Sequence, residues 1–130
     1  MRVLALDYGR ARTGVAVSDP TGLVARPLCV VERAASEAGI ARLVELVREE
    51  DVERVVVGLP LTLQGEHGEQ AQETERFVES LRSALDVPVE SFDERFTTDL
   101  ADQSGTRAPR DAAAAAHLLS SYLARSTGGR

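Results

Sequence analysis

The sequence lacks lysine and tryptophan, and it contains one methionine and one cysteine, Cys29. A lone cysteine cannot form a disulfide within the chain, and it suits a reducing compartment. With two histidines, His67 and His117, it shows no zinc-ligand spacing, so we expect no zinc site. Because Cys29 lies in the apolar stretch LCVV, we expect a small buried hydrophobe and not a reactive thiol.

Long apolar runs are also absent. No stretch approaches the roughly 18 apolar residues of a transmembrane helix, so we expect no membrane association. The N-terminal MRVLALDYG meets charged residues too early for a signal peptide, and a cytoplasmic location is therefore expected. The 130 residues, 43% hydrophobic and 28% charged, predict one soluble globular domain over residues 1–125, with 126–130 as a frayed tail.

The charge balance is acidic. All 15 basic residues are arginines, and 21 acidic residues give a net charge of −6. This balance does not favour nucleic-acid binding, which normally shows as a basic surface. Arginine does suit phosphate recognition, because its planar guanidinium can bind two oxygens at once. The composition therefore disfavours a nucleic-acid ligand but leaves local arginine contacts open.

The hydrophobic pattern predicts an α/β fold in the order βββαβαβ, followed by two helices. The first strand is continuously apolar, as expected of a strand that is covered on both faces. The first three strands indicate an antiparallel meander, and the later ones follow crossover helices as parallel strands do. Predicted strands are 2–7, 13–18, 23–31, 54–58 and 87–92, and predicted helices are 36–51 with Ser36 as N-cap, a second helix carrying 71–85, 97–103 and 111–124.

Acidic residues occur at three element ends. Asp7 ends the first strand, Asp93 and Glu94 end the last strand, and Asp111 lies in the first turn of the last helix. Each has an ordinary explanation, as a turn residue, a solvated surface pair or a helix N-terminal charge. If the first and last strands are neighbours, however, the three carboxylates can converge. Such a cluster suits Mg²⁺ or Mn²⁺, which take oxygen ligands and share their shell with phosphate.

Of these acidic residues, Asp111 is the one that its ordinary explanation, a helix N-terminal charge, fits least well. Ala114, Ala115, Leu118 and Tyr122 follow it at helical spacing, so Asp111 begins the apolar stripe that faces the sheet. A carboxylate on such a face must be paired or bound to a cation.

Four blocks of the sequence resemble the YqgF/RuvX family of Holliday-junction-resolvase-like proteins, which are also described as pre-16S rRNA nucleases. A D-x-G turn alone is weak evidence, but four blocks in the family's order cover nearly the whole chain. The blocks are LALDYGRARTGVAVSD, VVVGLPLTLQGEHGEQA, FDERFTTDLA and DAAAAAHLLSSYL.

The resemblance implies an RNase H-like fold, a mixed five-stranded sheet flanked by helices. It also implies a metal site whose ligands are Asp7, Asp111 and one of Asp93 and Glu94. Neighbouring residues of a strand point to opposite faces, and we favour Glu94 with Asp93 as second choice. Candidate substrate contacts by the same resemblance are Gly9, Arg10, Arg12, Gly58, Pro60 and Arg95, with Gly65 and Gly68 in the family's glycine-bearing loop.

Three positions depart from the family pattern, and the first departure bears on substrate affinity. The basic, often lysine-rich stretch before the final helix is reduced here to SGTRAPR. In the DER block Phe96 stands where leucine is commoner, and Thr62 stands where asparagine is frequent. Either a local arginine patch and bound metal ions suffice for affinity, or a homodimer or a ribosomal component adds positive charge.

The resulting hypothesis is a divalent-metal-dependent endonuclease, a hydrolase that processes pre-16S rRNA near its 5′ end in ribosome biogenesis. A second hypothesis is a resolvase of branched DNA in recombination and repair, which would need two active sites and hence a dimer. A third is a non-catalytic RNA- or nucleotide-binding module, because a D-x-G turn also meets ATP phosphates in actin-like folds.

Overall fold

The computed structural model describes residues 1–59, 68–93 and 110–128. It contains five strands and three helices within those ranges. In chain order they are β1 (Val3–Asp7), β2 (Arg12–Ser18), β3 (Ala25–Glu32), α1 (Glu37–Glu49), β4 (Arg54–Leu59), α2 (Glu69–Ala84), β5 (Val89–Asp93) and α3 (Arg110–Gly128). The predicted α/β class with a mixed five-stranded sheet is confirmed.

The sheet has the strand order β3-β2-β1-β4-β5. β1, β2 and β3 form the predicted antiparallel meander, whereas β1, β4 and β5 are mutually parallel. Direct pairing of the first and last strands, the condition set for convergence of the three acidic positions, is not observed. β1 already pairs with β2 on one side and β4 on the other, so β4 separates it from β5. The carboxyl ends of the three parallel strands still share one edge of the sheet.

Helices cover both faces of this sheet. Leu4 and Leu6 pack into a core with residues of α1 and α2, and this side is called the α1/α2 face. Val3 and Ala5 alternate with them and pack against α3, on what is called the α3 face. The continuously apolar first strand is explained by this burial on both sides.

The helix boundaries follow local signals. The Ser36 hydroxyl accepts a hydrogen bond from the Gly39 N–H at 3.1 Å, which confirms the predicted N-cap of α1. α2 buries the apolar face expected of it, including Phe77 and Leu81. α3 continues to Gly128 and so includes residues expected in the tail, while the predicted helix 97–103 lies outside the described residues.

The helices and Cys29 can be compared with what the sequence predicted for them. Within the described ranges, none of the helices combines the length and the apolar character needed to cross a membrane. Cys29 is half-buried beside the core under α1 and α2, and burial raises the pKa of its thiol. Its packing therefore agrees with a small hydrophobic residue.

Candidate active site

The turn between β1 and β2 sets the geometry of the site. A Cβ at Gly9 would overlap the carbonyl oxygen of Arg12, so the chain can bend this tightly only at a glycine. The Gly9 N–H donates to the buried Thr13 hydroxyl at 3.3 Å, which ties the two ends of the turn together. Residues 9–12 thus form a compact loop at the carboxyl edge of the sheet.

Asp7 ends β1 on the α3 face. It alternates with Leu6 and shares its side of the strand with Val3 and Ala5, which pack under α3. Its partner in the ladder with β2 is Gly14, and directly opposed residues of antiparallel strands lie about 5 Å apart. The side chain is half-buried, so the carboxylate is at the open edge of the sheet and not inside the core.

The first turn of α3 lies directly on Gly14. A Cβ at Gly14 would overlap the Asp111 carbonyl oxygen and come within 2.9 Å of the Ala112 nitrogen. Gly14 is therefore in backbone contact with Asp111 and in register with Asp7. The structure brings these two predicted acidic residues to the same glycine although they lie near opposite ends of the sequence.

Arg12 is paired with Asp111 at this position. Its Nε lies 3.4 Å from Oδ2 of Asp111, and the two side chains are 65% and 37% exposed. The required partner for a carboxylate on this helix face is thus an arginine in the described structure. Because both groups are open to solvent, the pair leaves the Asp111 oxygens accessible to a cation.

Arg10 is held on the other side of the turn. Its Nε and Nη2 both donate to Oε1 of Glu73, at 2.9 and 2.6 Å, and Glu73 Oε2 accepts the Tyr8 hydroxyl at 2.7 Å. The hydrogen bonds from Arg10, then from Tyr8, lower the pKa of Glu73. Burial, with Glu73 as a further cause, raises the pKa of Tyr8 to about 12, so Tyr8 stays a donor at neutral pH.

Only some of the other predicted site residues are among the described residues. Gly58 follows Val57, which pairs with Leu6, so it lies beside the end of β1. Asp93 ends β5 in register with Leu59, and Gly68 is the N-cap of α2. Glu94, Arg95, Pro60 and Gly65 lie outside the described residues.

The described residues fit part of a divalent-cation site. Asp7 and Asp111 supply carboxylate oxygens, the ligands that Mg²⁺ and Mn²⁺ prefer, at a half-exposed edge. Residues 1–59, 68–93 and 110–128 contain no group of three His, Cys, Asp or Glu side chains that could hold an ion.

Three residues of the site were missed by sequence reasoning: Gly14, Tyr8 and Glu73. Gly14 carried a usable signal, since a glycine inside an apolar strand often marks close approach of another backbone. Glu73 carried none, because it lies 63 positions from Arg10 on a helix surface rich in acidic residues.

This chain is similar to known proteins over most of its length. Residues 1–125 match the family described as "RuvX: Holliday junction resolvase". A protein of Chloroflexus aurantiacus named "Putative pre-16S rRNA nuclease" is 45% identical over 130 residues, which cover 93% of this chain and 85% of that protein. A protein of the same name from Desulforudis audaxviator is 40% identical, over 100% of this chain and 99% of that protein.

Among solved structures, Thermus thermophilus RuvC in complex with a Holliday junction substrate has a similar fold. Its TM-score is 0.65 at 21% sequence identity, over 98% of this chain and 96% of that one. This likeness confirms the RNase H-like fold that the resemblance implied. The family match over residues 1–125 and the identity to its relatives confirm the resemblance itself, and the chain belongs to the RuvX family.

Proposed function

We propose that this chain is a divalent-metal-dependent endonuclease that processes pre-16S rRNA near its 5′ end, within a cytoplasmic nuclease domain of residues 1–125. Membership of the RuvX family supports a nuclease, and the names of its relatives support the ribosomal substrate. The single observation that carries the proposal is the meeting of Asp7 and Asp111 at Gly14, on the edge of the sheet where parallel strands end.

The proposed metal ligands are Asp7, Asp111 and Glu94. Glu94 is preferred, with Asp93 as the second choice; Phe92, two positions before Glu94, packs into the core on the α3 face where Asp7 and Asp111 lie. Mg²⁺ or Mn²⁺ at this position would supply an activated water and would stabilise charge on the scissile phosphate.

The contribution of the chain itself is orientation. The backbone contact at Gly14 fixes the spacing of Asp7 and Asp111 before any ligand arrives, so little reorganisation is needed on binding. Arg12 lies beside them with a largely exposed guanidinium and can pair with a phosphate oxygen when Asp111 turns to a cation.

Two exposed arginines at the site are candidates for phosphate contacts, although each is paired with a carboxylate in this structure. Arg10 and Arg12 flank the same turn, with side chains 75% and 65% exposed. Both can meet a phosphodiester backbone that crosses the edge of the sheet. Additional positive charge from a homodimer or a ribosomal component remains part of the proposal where these two contacts are insufficient.

Resolution of four-way DNA junctions is the second candidate function. The description of the matched family favours it, because that description names a Holliday junction resolvase. Paired cuts need two active sites, so this function requires a dimer on the junction. A catalytically inactive RNA- or nucleotide-binding module is the third candidate, and it predicts binding without cleavage.

The test is a cleavage assay with wild type, Asp7→Asn and the control Asp86→Asn, in Mg²⁺ and in Mn²⁺. Asp86 is an exposed aspartate just before β5, at the opposite edge of the sheet, and its replacement changes the charge equally. Substrates are a labelled 16S-leader RNA, a four-way DNA junction and plain single strands. We expect leader RNA to be cut by wild type and Asp86→Asn but not by Asp7→Asn.

The other outcomes separate the candidates. Paired nicks in the junction alone would replace the ribosomal substrate with branched DNA. Full activity of Asp7→Asn would overturn the metal-site assignment. Binding of RNA without an Asp7-dependent cut in any substrate would replace the enzyme with a binding module.

A further inference from the structure

The Arg10 guanidinium is held at one edge only. Its Nε and Nη2 donate to a single oxygen of Glu73, at 2.9 and 2.6 Å. Two of the five N–H donors of an arginine are thus directed at Glu73, and three are not. The side chain remains 75% exposed, so these three donors belong to a largely solvent-exposed guanidinium.

Glu73 is itself fixed by a second contact. Its Oε2 accepts the Tyr8 hydroxyl at 2.7 Å, and the Tyr8 ring stacks on Phe77 of α2 with centroids 4.5 Å apart. Tyr8 is 8% exposed and Phe77 is 2% exposed, so this stack belongs to the core. A chain of contacts therefore runs from the core through Tyr8 and Glu73 to Arg10.

This cluster lies across the turn from the acidic residues. Tyr8 is on the α1/α2 face, whereas Asp7 is on the α3 face. Tyr8, Arg10, Glu69, Gln70 and Glu73 line an open cavity of about 380 Å³. Arg10 is thus on the side of the turn opposite Asp7 and Asp111, so a phosphate bound by Arg10 would be one other than the scissile phosphate.

We propose that Glu73, braced by Tyr8, is a positioning residue that holds Arg10 to bind a backbone phosphate next to the scissile one. The inference rests on the proposed function and adds a residue that touches neither the reacting atoms nor the metal ligands. Glu73 restricts the rotamers of a long exposed side chain before binding, which lowers the entropy lost when the phosphate is bound.

The sign of one substitution separates positioning from plain electrostatics. Glu73→Gln removes a negative charge, so charge alone predicts tighter binding of a polyanion. Loss of a positioned Arg10 predicts weaker binding. We expect Glu73→Gln to weaken binding by about threefold to tenfold, the size of one charge-assisted hydrogen bond that is poorly aligned.

The experiment is a double-mutant cycle read by anisotropy of a short fluorescein-labelled single-stranded RNA, with Ca²⁺ replacing Mg²⁺ to slow cleavage. The four proteins are wild type, Arg10→Ala, Glu73→Gln and the double variant. Both single variants should lose affinity, and the double variant should lose no more than Arg10→Ala. Arg10→Ala should also reduce the slope of log Kd against log salt by about 0.7, the loss of one phosphate contact on a single strand.

Glu79→Gln is the matched control. Glu79 lies on the same helix, and its carboxylate pairs with Arg82 at 2.6 Å, as Glu73 does with Arg10. The charge change is identical, but the pair is exposed and far along α2 from the turn. Glu79→Gln should leave RNA affinity unchanged or slightly tighter.

Kinetics in Mg²⁺ give a second reading. Glu73→Gln should raise KM with kcat within about twofold, because uniform binding is lost and no group at the reacting atoms is changed. Affinity of Glu73→Gln equal to or tighter than that of Glu79→Gln would overturn the positioning role. Failure of the proposed function differs, since Arg10–Glu73 coupling with no Asp7-dependent cleavage would preserve positioning and remove the nuclease.

Discussion

Two arginine–carboxylate pairs flank one turn, and they are built differently. On the α1/α2 face, Arg10 meets Glu73 at 2.6 Å, and the Tyr8 hydroxyl holds the same carboxylate. On the α3 face, Arg12 meets Asp111 at 3.4 Å, and the backbone of Asp111 rests on Gly14. In the first pair the side chain of the acid is fixed, and in the second its main chain is fixed.

The difference indicates opposite roles for the two acids. Glu73 is held at both carboxylate oxygens, so it is suited to orient the arginine that it binds. Asp111 is fixed through its backbone and keeps an exposed, loosely paired carboxylate that can change partners. An ion pair alone therefore does not show which residue orients the other. The remaining contacts of both residues are needed.

The largest expected effect comes from Gly14→Ala, which disrupts the backbone contact between Gly14 and Asp111 on the α3 face. A methyl group at Gly14 overlaps the Asp111 carbonyl, so the first turn of α3 must move off β2. We expect a loss of about 3 kcal/mol in the free energy of unfolding, at the upper end for overpacking. Urea denaturation measures this loss, and cleavage should fall with it because Asp111 moves from Asp7.

Gly68→Ala is the control for that substitution. Gly68 is the N-cap of α2, and a Cβ there would meet nothing within 4 Å among the described residues. It should cost less than about 1 kcal/mol, the ordinary price of a weaker N-cap. Equal costs for the two glycine substitutions would contradict the backbone contact at Gly14.

Asp111→Asn sharpens the comparison without moving the backbone. We expect cleavage to fall at least about a hundredfold if the carboxylate holds a catalytic cation. Stability should change by less than about 1 kcal/mol, because an exposed ion pair contributes little. Steady-state kcat/KM measures the loss of cleavage, and the urea midpoint measures the change in stability.

Arg12→Ala removes the other half of the same pair. It should weaken substrate binding by only a few-fold and leave kcat largely intact, since its proposed contact is with a phosphate oxygen. Equal losses of kcat for Asp111→Asn and Arg12→Ala would instead mean that the pair acts as a structural unit.

The fold was largely predictable because its signals are local. Continuous apolar runs, the Ser36 cap and the helical stripe of α2 each occur within a few residues, and each was confirmed. Strand order was not predictable in full, since the pairing of β1 with β4 depends on a crossover that sequence patterns do not specify.

The candidate site could be predicted from the sequence where its residues lie at strand and helix ends. Asp7 and Asp111 were predicted in this way, and the structure places both beside Gly14, while their role as metal ligands stays a prediction. The holding of Arg10 by Glu73 was not predictable, because a surface glutamate on a charged helix has no pattern that marks its partner. Contacts between distant elements need coordinates.

Tyr8→Phe tests the α1/α2 side at a smaller scale. The substitution keeps the ring on Phe77 and removes only the hydroxyl that donates to Glu73. We expect about 1 kcal/mol of lost stability and a modest rise in the KM for RNA, in the same direction as Glu73→Gln. Thermal unfolding and steady-state kinetics measure the two quantities.

Ser80→Ala serves as its control, since this exposed hydroxyl of α2 donates only within its own helix, to Arg76 O at 3.2 Å. Its removal should change stability by a few tenths of a kcal/mol. A KM that rises equally in Tyr8→Phe and Ser80→Ala would argue against transmission from Tyr8 to Arg10.

The smallest effect is visible only in alkali. Burial, and then Glu73, raises the pKa of Tyr8 to about 12, so an unfolded chain releases this proton at lower pH than the folded one. The stabilisation is complete below the ordinary tyrosine pKa of about 10 and is lost as pH rises towards about 12.

The pKa of Tyr8 can be measured in a Tyr122→Phe variant. The chain has two tyrosines, so in this variant the absorbance of tyrosinate reports Tyr8 alone. Adding Glu73→Gln should lower this pKa only part of the way to 10, because burial, the larger cause, remains. A Tyr8 pKa near 10 with Glu73 intact would mean that the hydrogen bond from Tyr8 to Glu73 is not formed. Arg10 would then be held by Glu73 without support from the core.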